Sequence, residues 1–253
     1  MTMNVHPIPA LHDNYIWSLT TDDKHCVVVD PGEAYPVLQY LEQHGLTLEA
    51  ILITHHHFDH VDGIAEILES HPCKVYGPDD KRIPVKYQVV DAQSVIGWSG
   101  PDITVLETPG HTCSHVSFLA DAHLFCGDTL FALGCGKIFD GKAEDFYRSL
   151  QKITKLPEQT QVCCTHEYTL SNASFALQVE PDNKDLLAIV SFYKQQREEG
   201  VPTLPTELKS QFKTNPFLRT DTDVVTAKLE QMGFAVDTAV QRFASLRSWK
   251  DRF

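Results

Sequence analysis

An α/β domain followed by a helical extension is the architecture this sequence predicts, and three observations predict it. Short apolar runs alternate with helix-spaced segments over the first two-thirds of the chain. Several of those runs end in a loop that carries His or Asp. From about residue 170 the strand texture gives way to longer helix-spaced segments separated by Gly and Pro.

Taken in order, "YIWSL" (15–19) and "CVVVD" (26–30) read as neighbouring strands, the second closed by the breaker "DPG". "AYPVLQYLEQHG" (34–45) sets Val37, Leu38 and Leu41 at helical spacing and ends in a glycine suited to a C-cap. "EAILIT" (49–54) is a short buried strand, and "GIAEILES" (63–70) returns to helix. "ITVLETPGH" (103–111), "VSFLA" (116–120), "HLFCGD" (123–128) and "QVCCTHE" (161–167) are further strand-then-loop units. "DNKDLLAIVSFYKQQREEG" (182–200) reads as a helix that its glycine ends. "VPTLPTELKSQFKTNPF" (201–217), with three prolines, reads as a connection. "TDVVTAKLEQMG" and "DTAVQRFASLRSWKDRF" are two more helices with Thr or Asp near their starts.

Composition narrows the class. A chain of 253 residues with 42% hydrophobic and 22% charged side chains has the balance of a soluble globular protein. No stretch approaches the roughly 18–20 apolar residues that cross a membrane. The start, "MTMNVHPIPALHDNY", has neither a basic segment nor a following apolar one, so cytoplasmic residence is expected. The seven cysteines are odd in number and lack C-x-x-C spacing, which fits reduced thiols rather than a disulfide framework. A formal charge of −13 disfavours nucleic-acid binding, though it leaves room for a local basic pocket.

Chemistry concentrates in "ITHHHFDHVDG" (53–63), which holds four histidines and two aspartates. His55 and His57 are two apart, so at an extended strand end they project to one side and suit a single metal, while His56 points away to hold the loop. Asp59 and His60 follow as the chain turns toward helix, far enough along to serve a second metal. Each ion needs further ligands, and a catalytic site keeps a position open for water. His111, Asp128 and His166, each at a later strand end, are the candidates, and the two oxygens of Asp128 suit it to bridging. His115 is a candidate for support rather than ligation. His6, His12, His25, His44, His71 and His123 fit no such pattern and read as surface or packing residues.

These residues resemble a family. "THHHFDH" (54–60) is similar to the T-H-x-H-x-D-H signature of the metallo-β-lactamase fold, and "TPGHT" (108–112) and "FCGDT" (125–129) resemble its later ligand motifs in the right order. More narrowly, "DNYIW" (13–17), "GCGKIFDG" (134–141), "HEYTLSN" (166–172) and "LRSWKDRF" (246–253) resemble glyoxalase II, the hydroxyacylglutathione hydrolases. The resemblance implies an α/β, αββα metallo-β-lactamase sandwich as catalytic domain over residues 1–170, with an α-helical substrate-binding domain over 171–253. It implies two divalent ions per chain: His55, His57 and His111 on one, Asp59, His60 and His166 on the other, Asp128 bridging. Zinc is expected, and the five imidazoles and two carboxylates also suit Fe or Mn.

The implied reaction is hydrolysis of S-(2-hydroxyacyl)glutathione, typically S-D-lactoylglutathione, to glutathione and a 2-hydroxy acid such as D-lactate, the second step of methylglyoxal detoxification. A hydroxide between the metals would attack the thioester carbonyl, with Asp59 as the catalytic side chain that orients it. Family positions that contact substrate fall on Lys137, Phe139, Tyr168, Asn172, Arg247 and Lys250. From residue 242 onward there are four basic side chains and one acidic one, against the trend of the chain. Phe139 departs from the pattern, since some relatives carry tyrosine there. Cys135 reads as a packing residue in a tight Gly-Cys-Gly turn. A glutathione thioester is the expected partner, with no nucleic acid and no membrane, and the chain is expected to act as a monomer.

The same ligands also serve lactonases, β-lactamases, persulfide dioxygenases and nucleases. Acidity weakens the nuclease reading, and Asp59 with His60 favours two metals over the single iron of a dioxygenase. A scaffold that kept only the fold would be expected to have lost ligands, and all seven are present.

Overall fold

Cys26–Val29 lies at the heart of the first sheet, and all four side chains are buried in a computed structural model that describes residues 3–253. Strands β1 (Met3–Ala10), β2 (Asn14–Thr21) and β3 (His25–Val29) pair antiparallel. β3 then pairs in parallel with β4 (Thr47–Leu52), β4 with β5 (Lys74–Gly77), and β5 with β6 (Gln88–Val89). Parallel strands are covered on both faces, which is why "CVVV" and "AIL" are unbroken apolar runs rather than alternating ones. Helices α1 (Ala34–His44) and α3 (Ile64–Ser70) supply Val37, Leu41, Ile64 and Ile67 to the same core as Val28, Ile51 and Ile53. Burying each such side chain contributes about 1.5–3 kcal/mol. The one-turn helix α2 (Phe58–Val61) lies between them, directly after the histidine run.

Four more strands follow: β7 (Val95–Ile96), β8 (Ile103–Glu107), β9 (Val116–Ala120) and β10 (His123–Gly127), paired antiparallel in the order β10-β9-β8-β7. Trp17 and Phe125 meet edge to face at 6.3 Å. These elements belong to one compact unit, the chain up to Glu107 with Ser114–Gly127; Thr108–Cys113 and Asp128–Phe253 make a second.

The second unit contains the hairpin β11 (Leu130–Phe131) and β12 (Gly134–Cys135), helix α4 (Ala143–Ile153), strand β13 (Gln161–Cys164) paired with β14 (Thr206–Glu207), and helices α5 (Thr169–Val179), α6 (Lys184–Glu198), α7 (Leu208–Thr214), α8 (Asp223–Gln231) and α9 (Ala239–Lys250). Asn183, Thr222 and Thr238 cap α6, α8 and α9 with side-chain oxygens. The hairpin turn is held by buried amides from the helices. Gln211 accepts from the Leu133 N–H at 2.8 Å, Asn172 donates to the Ala132 carbonyl at 3.0 Å, and Asn215 donates to the carbonyls of Phe131 and Gly134 at 3.0 and 2.9 Å. Among the described residues no helix is long and apolar enough to cross a membrane.

Several expectations are corrected. Residues 201–217 are not a plain connection, since they hold β14, α7 and a 3-10 turn over Pro216–Leu218. Pro202 and Pro205 precede β14, and Pro216 opens the 3-10 turn at its first position, where a missing N–H costs nothing. β1 was hidden by Pro7 and Pro9, which an edge strand tolerates because its outer N–H side needs no partner. α4 buries Phe146, Leu150 and Ile153, a clear helical stripe that the strand-then-loop pattern obscured. α5 buries Thr169 and Asn172 beside Ala173, Phe175 and Ala176, so its buried face is too polar to show as a stripe.

Asn215 donates to both of these hairpin carbonyls and also accepts from the Phe217 N–H at 3.0 Å. Asn215→Ala leaves buried groups unpaired and is expected to destabilise the protein by about 2–4 kcal/mol in urea unfolding. A loss within experimental error of zero refutes the buried-amide account of the turn.

Candidate metal centre

In the first unit the carboxyl ends of parallel strands β3 and β4 carry the chemistry, where α/β sheets place their sites. Asp30 directly follows β3, and its buried carboxylate accepts from the Thr54 N–H at 2.7 Å and from the Thr54 hydroxyl at 2.6 Å. It also accepts from His60 Nδ1 at 2.9 Å. The Thr54 hydroxyl proton is therefore directed to Asp30, so the oxygen, 3.0 Å from His55 Nδ1, acts as acceptor from that nitrogen. Both imidazoles are thus protonated on Nδ1 and present Nε2 as a lone pair.

His55 Nε2 and His57 Nδ1 face each other at 3.0 Å. Asp59 Oδ2 and His60 Nε2 are 3.5 Å apart, and Asn14 donates to Asp59 Oδ2 at 3.0 Å. His56 turns away from this group and pairs with Asp80 at 3.2 Å. Burial alone would raise the Asp80 carboxyl, but hydrogen bonds from Arg82 and Ser114 outweigh it and hold the group well below the usual range. His115 is buried and stacks on His55 at 4.9 Å, a supporting contact.

In the second unit Gly110 precedes His111 at φ 153°, and a Cβ there would lie 2.3 Å from the Phe146 ring, so this turn needs glycine. His111 Nδ1 donates to the Lys137 carbonyl at 2.7 Å, which again leaves Nε2 as the lone pair. That Nε2 is 3.5 Å from Asp128 Oδ2, and His166 Nε2 is 3.5 Å from Asp128 Oδ1. His166 follows β13 and stacks on the Tyr168 ring at 4.5 Å with an interplanar angle of 2°.

These separations test the donor set. A gap of 3.5 Å between nitrogen and oxygen is long for a hydrogen bond. Two ligands about 2.0–2.2 Å from one tetrahedral ion lie roughly 3.3 Å apart. The pairs within each unit all fall at 3.0–3.5 Å, and Asp128 turns each of its oxygens to a different imidazole. The residues fit divalent metal.

Of the expected substrate contacts, Lys137 and Phe139 are exposed, with the ammonium 5.7 Å from the ring centroid. Phe139 stands edge-on to His111 at 5.1 Å, and Tyr168 is partly exposed. Lys250 is half-buried and bonds Asn172 Oδ1, while Asn172 itself is buried. Burial, then the neighbouring Arg247 charge, pulls the Lys250 ammonium down to about 8. Arg247 is buried, and its Nη1 donates to the Cys135 carbonyl at 2.9 Å. Cys135 is buried, and burial pushes its thiol up, as suits a packing residue.

Comparison with known proteins places this geometry. The metallo-beta-lactamase superfamily profile matches residues 14–166, and a profile described as hydroxyacylglutathione hydrolase C-terminus matches residues 167–253. A hydroxyacylglutathione hydrolase of Xanthomonas campestris pv. campestris (strain B100) is 46% identical over 253 residues, covering 99% of both chains. That of Aliivibrio salmonicida (strain LFI1238) is also 46% identical, covering 98% of this chain and 99% of its own. The chain belongs to the hydroxyacylglutathione hydrolases.

This makes it a hydrolase of the metal-dependent metallo-β-lactamase superfamily, with the αββα fold class and helical C-terminal segment that the motifs implied. Two solved structures share the fold. ETHE1 from Myxococcus xanthus aligns with a TM-score of 0.66 at 22% identity, covering 97% of this chain and 100% of its own. TTHA1623, solved in a di-iron-bound form, aligns with a TM-score of 0.56 at 26% identity, covering 64% of this chain and 91% of its own.

Sequence reasoning missed Asp30 and Asn14 as residues of the candidate site. The available signal was position: Asp30 directly follows the buried strand β3 just before "PG", and Asn14 starts the neighbouring strand β2 inside "DNYIW". Asp30→Ala removes the acceptor of His60 Nδ1 and is expected to weaken divalent-metal affinity about tenfold to a hundredfold. Zinc titration of the apoprotein against a chelating indicator measures it, and an unchanged affinity refutes the role.

Proposed function

We propose that this chain hydrolyses S-(2-hydroxyacyl)glutathione thioesters, typically S-D-lactoylglutathione, to glutathione and a 2-hydroxy acid such as D-lactate, the second step of methylglyoxal detoxification. Near-full-length identity to hydroxyacylglutathione hydrolases supports the substrate. In this reading His55, His57 and His111 hold one divalent ion, Asp59, His60 and His166 hold another, and Asp128 is shared. The observation that carries it is Asp128, with one imidazole on each oxygen. Zinc is the proposed metal, and Fe or Mn suits the same nitrogen and oxygen donors.

When bound, such ions acidify a water and polarise the thioester carbonyl. The chain's own residues do the rest. Asp59, fixed by Asn14, accepts a hydrogen bond from the attacking water and aims it. Glutathione brings two carboxylates, and an acidic protein must meet them with local cations. Lys137 and Lys250 supply charge, Tyr168 a hydroxyl and Phe139 an apolar wall. Asn172, whose Oδ1 accepts from the Lys250 ammonium, and Arg247, three residues before Lys250 on α9, complete the proposed set of substrate contacts. The proposed division of labour is a catalytic domain over 1–170 and a substrate-binding domain over 171–253, supported by family profiles that meet at residues 166 and 167. Cytoplasmic residence and action as a monomer, with neither nucleic acid nor membrane as partner, complete the proposal.

Replacing Asp128 with Ala is expected to lose both ions and activity together. Two ions per chain by elemental analysis with near-normal turnover on S-D-lactoylglutathione overturns the shared-ligand assignment.

Lys250 gives a pH signature. With a pKa of about 8 its charge is present below pH 8 and lost above it. The value of kcat/KM, which reports the free enzyme, is expected to fall as pH rises through about 8, mainly through KM. Lys250→Arg, charged throughout, is expected to flatten that limb. A limb that persists unchanged in Lys250→Arg assigns the titration elsewhere.

A further inference from the structure

The turn from β13 into α5 carries an expected metal ligand, His166, and an expected substrate contact, Tyr168, with Glu167 between them. The His166 and Tyr168 rings stack in parallel at 4.5 Å, and the Phe131 ring stands edge-on to both, at 5.9 and 5.5 Å. In an extended segment, residues two apart face one way and the residue between them faces the other. Glu167 accordingly finds partners of its own on the segment that leads into β14. Its Oε2 accepts from the Thr203 N–H at 2.8 Å, and its Oε1 accepts from the Thr203 hydroxyl at 2.5 Å. The side chain is only 8% exposed, and Arg197 Nη1 lies 3.8 Å from Oε2.

The same network continues into the start of the helix. The Thr203 hydroxyl donates to Glu167, so its oxygen, 2.6 Å from the Thr169 hydroxyl, accepts from Thr169. Thr169 is the first residue of α5, and both threonines are buried. Ser, Thr, Asp or Asn is the usual residue just before a helix, whereas α5 has Tyr168 there. Glu167 and Thr169 are thus both pinned to Thr203, which brackets Tyr168 and leaves its ring against His166. Arg197 also donates to the Val201 carbonyl at 3.0 Å, so the anchoring segment is tied in turn to the end of α6. Hydrogen bonds to a charged acceptor are roughly twice as strong as neutral ones, which makes the Glu167 carboxylate a firm anchor.

We propose that Glu167 is a positioning residue: through Thr203 and Thr169 it holds His166 and Tyr168 in one orientation, and it touches neither metal nor substrate itself. With His166 read as a ligand and Tyr168 as a substrate contact, on which this proposal rests, the second ion and the thioester become coupled. A shift of the His166 ring carries the stacked Tyr168 ring with it. Thr203 acquires a part in the site although it lies 36 residues beyond Glu167.

The test compares wild type, Glu167→Ala, Glu167→Gln, Thr203→Val and Glu180→Ala as full chains. Glu180 is buried at the far end of α5 and pairs with Arg219 at 2.8 Å, so its variant loosens the same helix away from the turn. Zinc titration of the apoprotein against a chelating indicator, thermal melting, and kcat and KM for S-D-lactoylglutathione at saturating zinc are measured. Glu167→Ala is expected to keep one zinc at wild-type affinity and bind the other about tenfold more weakly. Its KM is expected to rise about tenfold, with a smaller change in kcat. Thr203→Val, which removes only the hydroxyl, is expected to move the same zinc and KM in the same direction by less. Glu167→Gln, whose side-chain oxygen still accepts from the Thr203 N–H, is expected to bring both back to within about threefold of wild type. Glu180→Ala is expected to lower the melting temperature and leave both zinc affinities and KM at wild-type values. Should Glu167→Ala fail to fold, Thr203→Val decides, and unchanged zinc and KM there overturn the proposal. Wild-type values in Glu167→Ala, equal weakening of both zincs, or the same losses in Glu180→Ala also overturn it. The underlying ligand reading is checked separately by His166→Ala: two zincs at wild-type affinity there sink that reading whatever Glu167 does.

Discussion

An imidazole offers two nitrogens, and a metal site works only if the fold occupies one so that the other is presented. That constraint organises both units of this protein. His60 Nδ1–H donates to Asp30, His55 Nδ1–H to the Thr54 hydroxyl, and His111 Nδ1–H to the Lys137 carbonyl. Three acceptors from three different parts of the chain each leave Nε2 as the lone pair available to a ligand. The acceptors stay in place because each is bonded again from behind. Asp30 is held by Thr54, and the loop carrying Lys137 is held by Arg247, Asn172, Gln211 and Asn215.

The architecture explains why these partners can be rigid. β3 and β4 are parallel and buried, so their carboxyl ends cannot shift without disturbing the core of Val28, Ile51, Ile53, Val37 and Leu41. The second unit reaches comparable rigidity with polar chemistry. Its hairpin turn is fixed by buried amides and a guanidinium, whose hydrogen bonds have directions that apolar contacts lack.

Cationic side chains of similar sequence character play different physical parts. Arg247 and Lys250 are three residues apart on one helix and read alike as a basic pair. One is buried and donates to backbone carbonyls, and the other is half-buried with a pKa drawn to about 8. Asn172 read as a substrate contact, yet its amide links the hairpin turn to the Lys250 ammonium.

The sequence by itself determined the chemistry of the site. Seven ligand-type residues fall at the ends of apolar runs, and strand and helix periods are local patterns that burial must respect, so β3, β4, β9 and α1 were legible within a residue or two. Motifs such as "THHHFDH" carried the family because metal geometry demands those residue types at that spacing. What only the tertiary structure decided was which nitrogen each imidazole presents and what holds it there. Asp30 reaches Thr54 across 24 residues and His60 across 30, and Arg247 reaches Cys135 across 112. Such contacts leave no period and no spacing in the sequence, because a hydrogen bond depends on where the fold brings two atoms and not on how far apart the chain lists them.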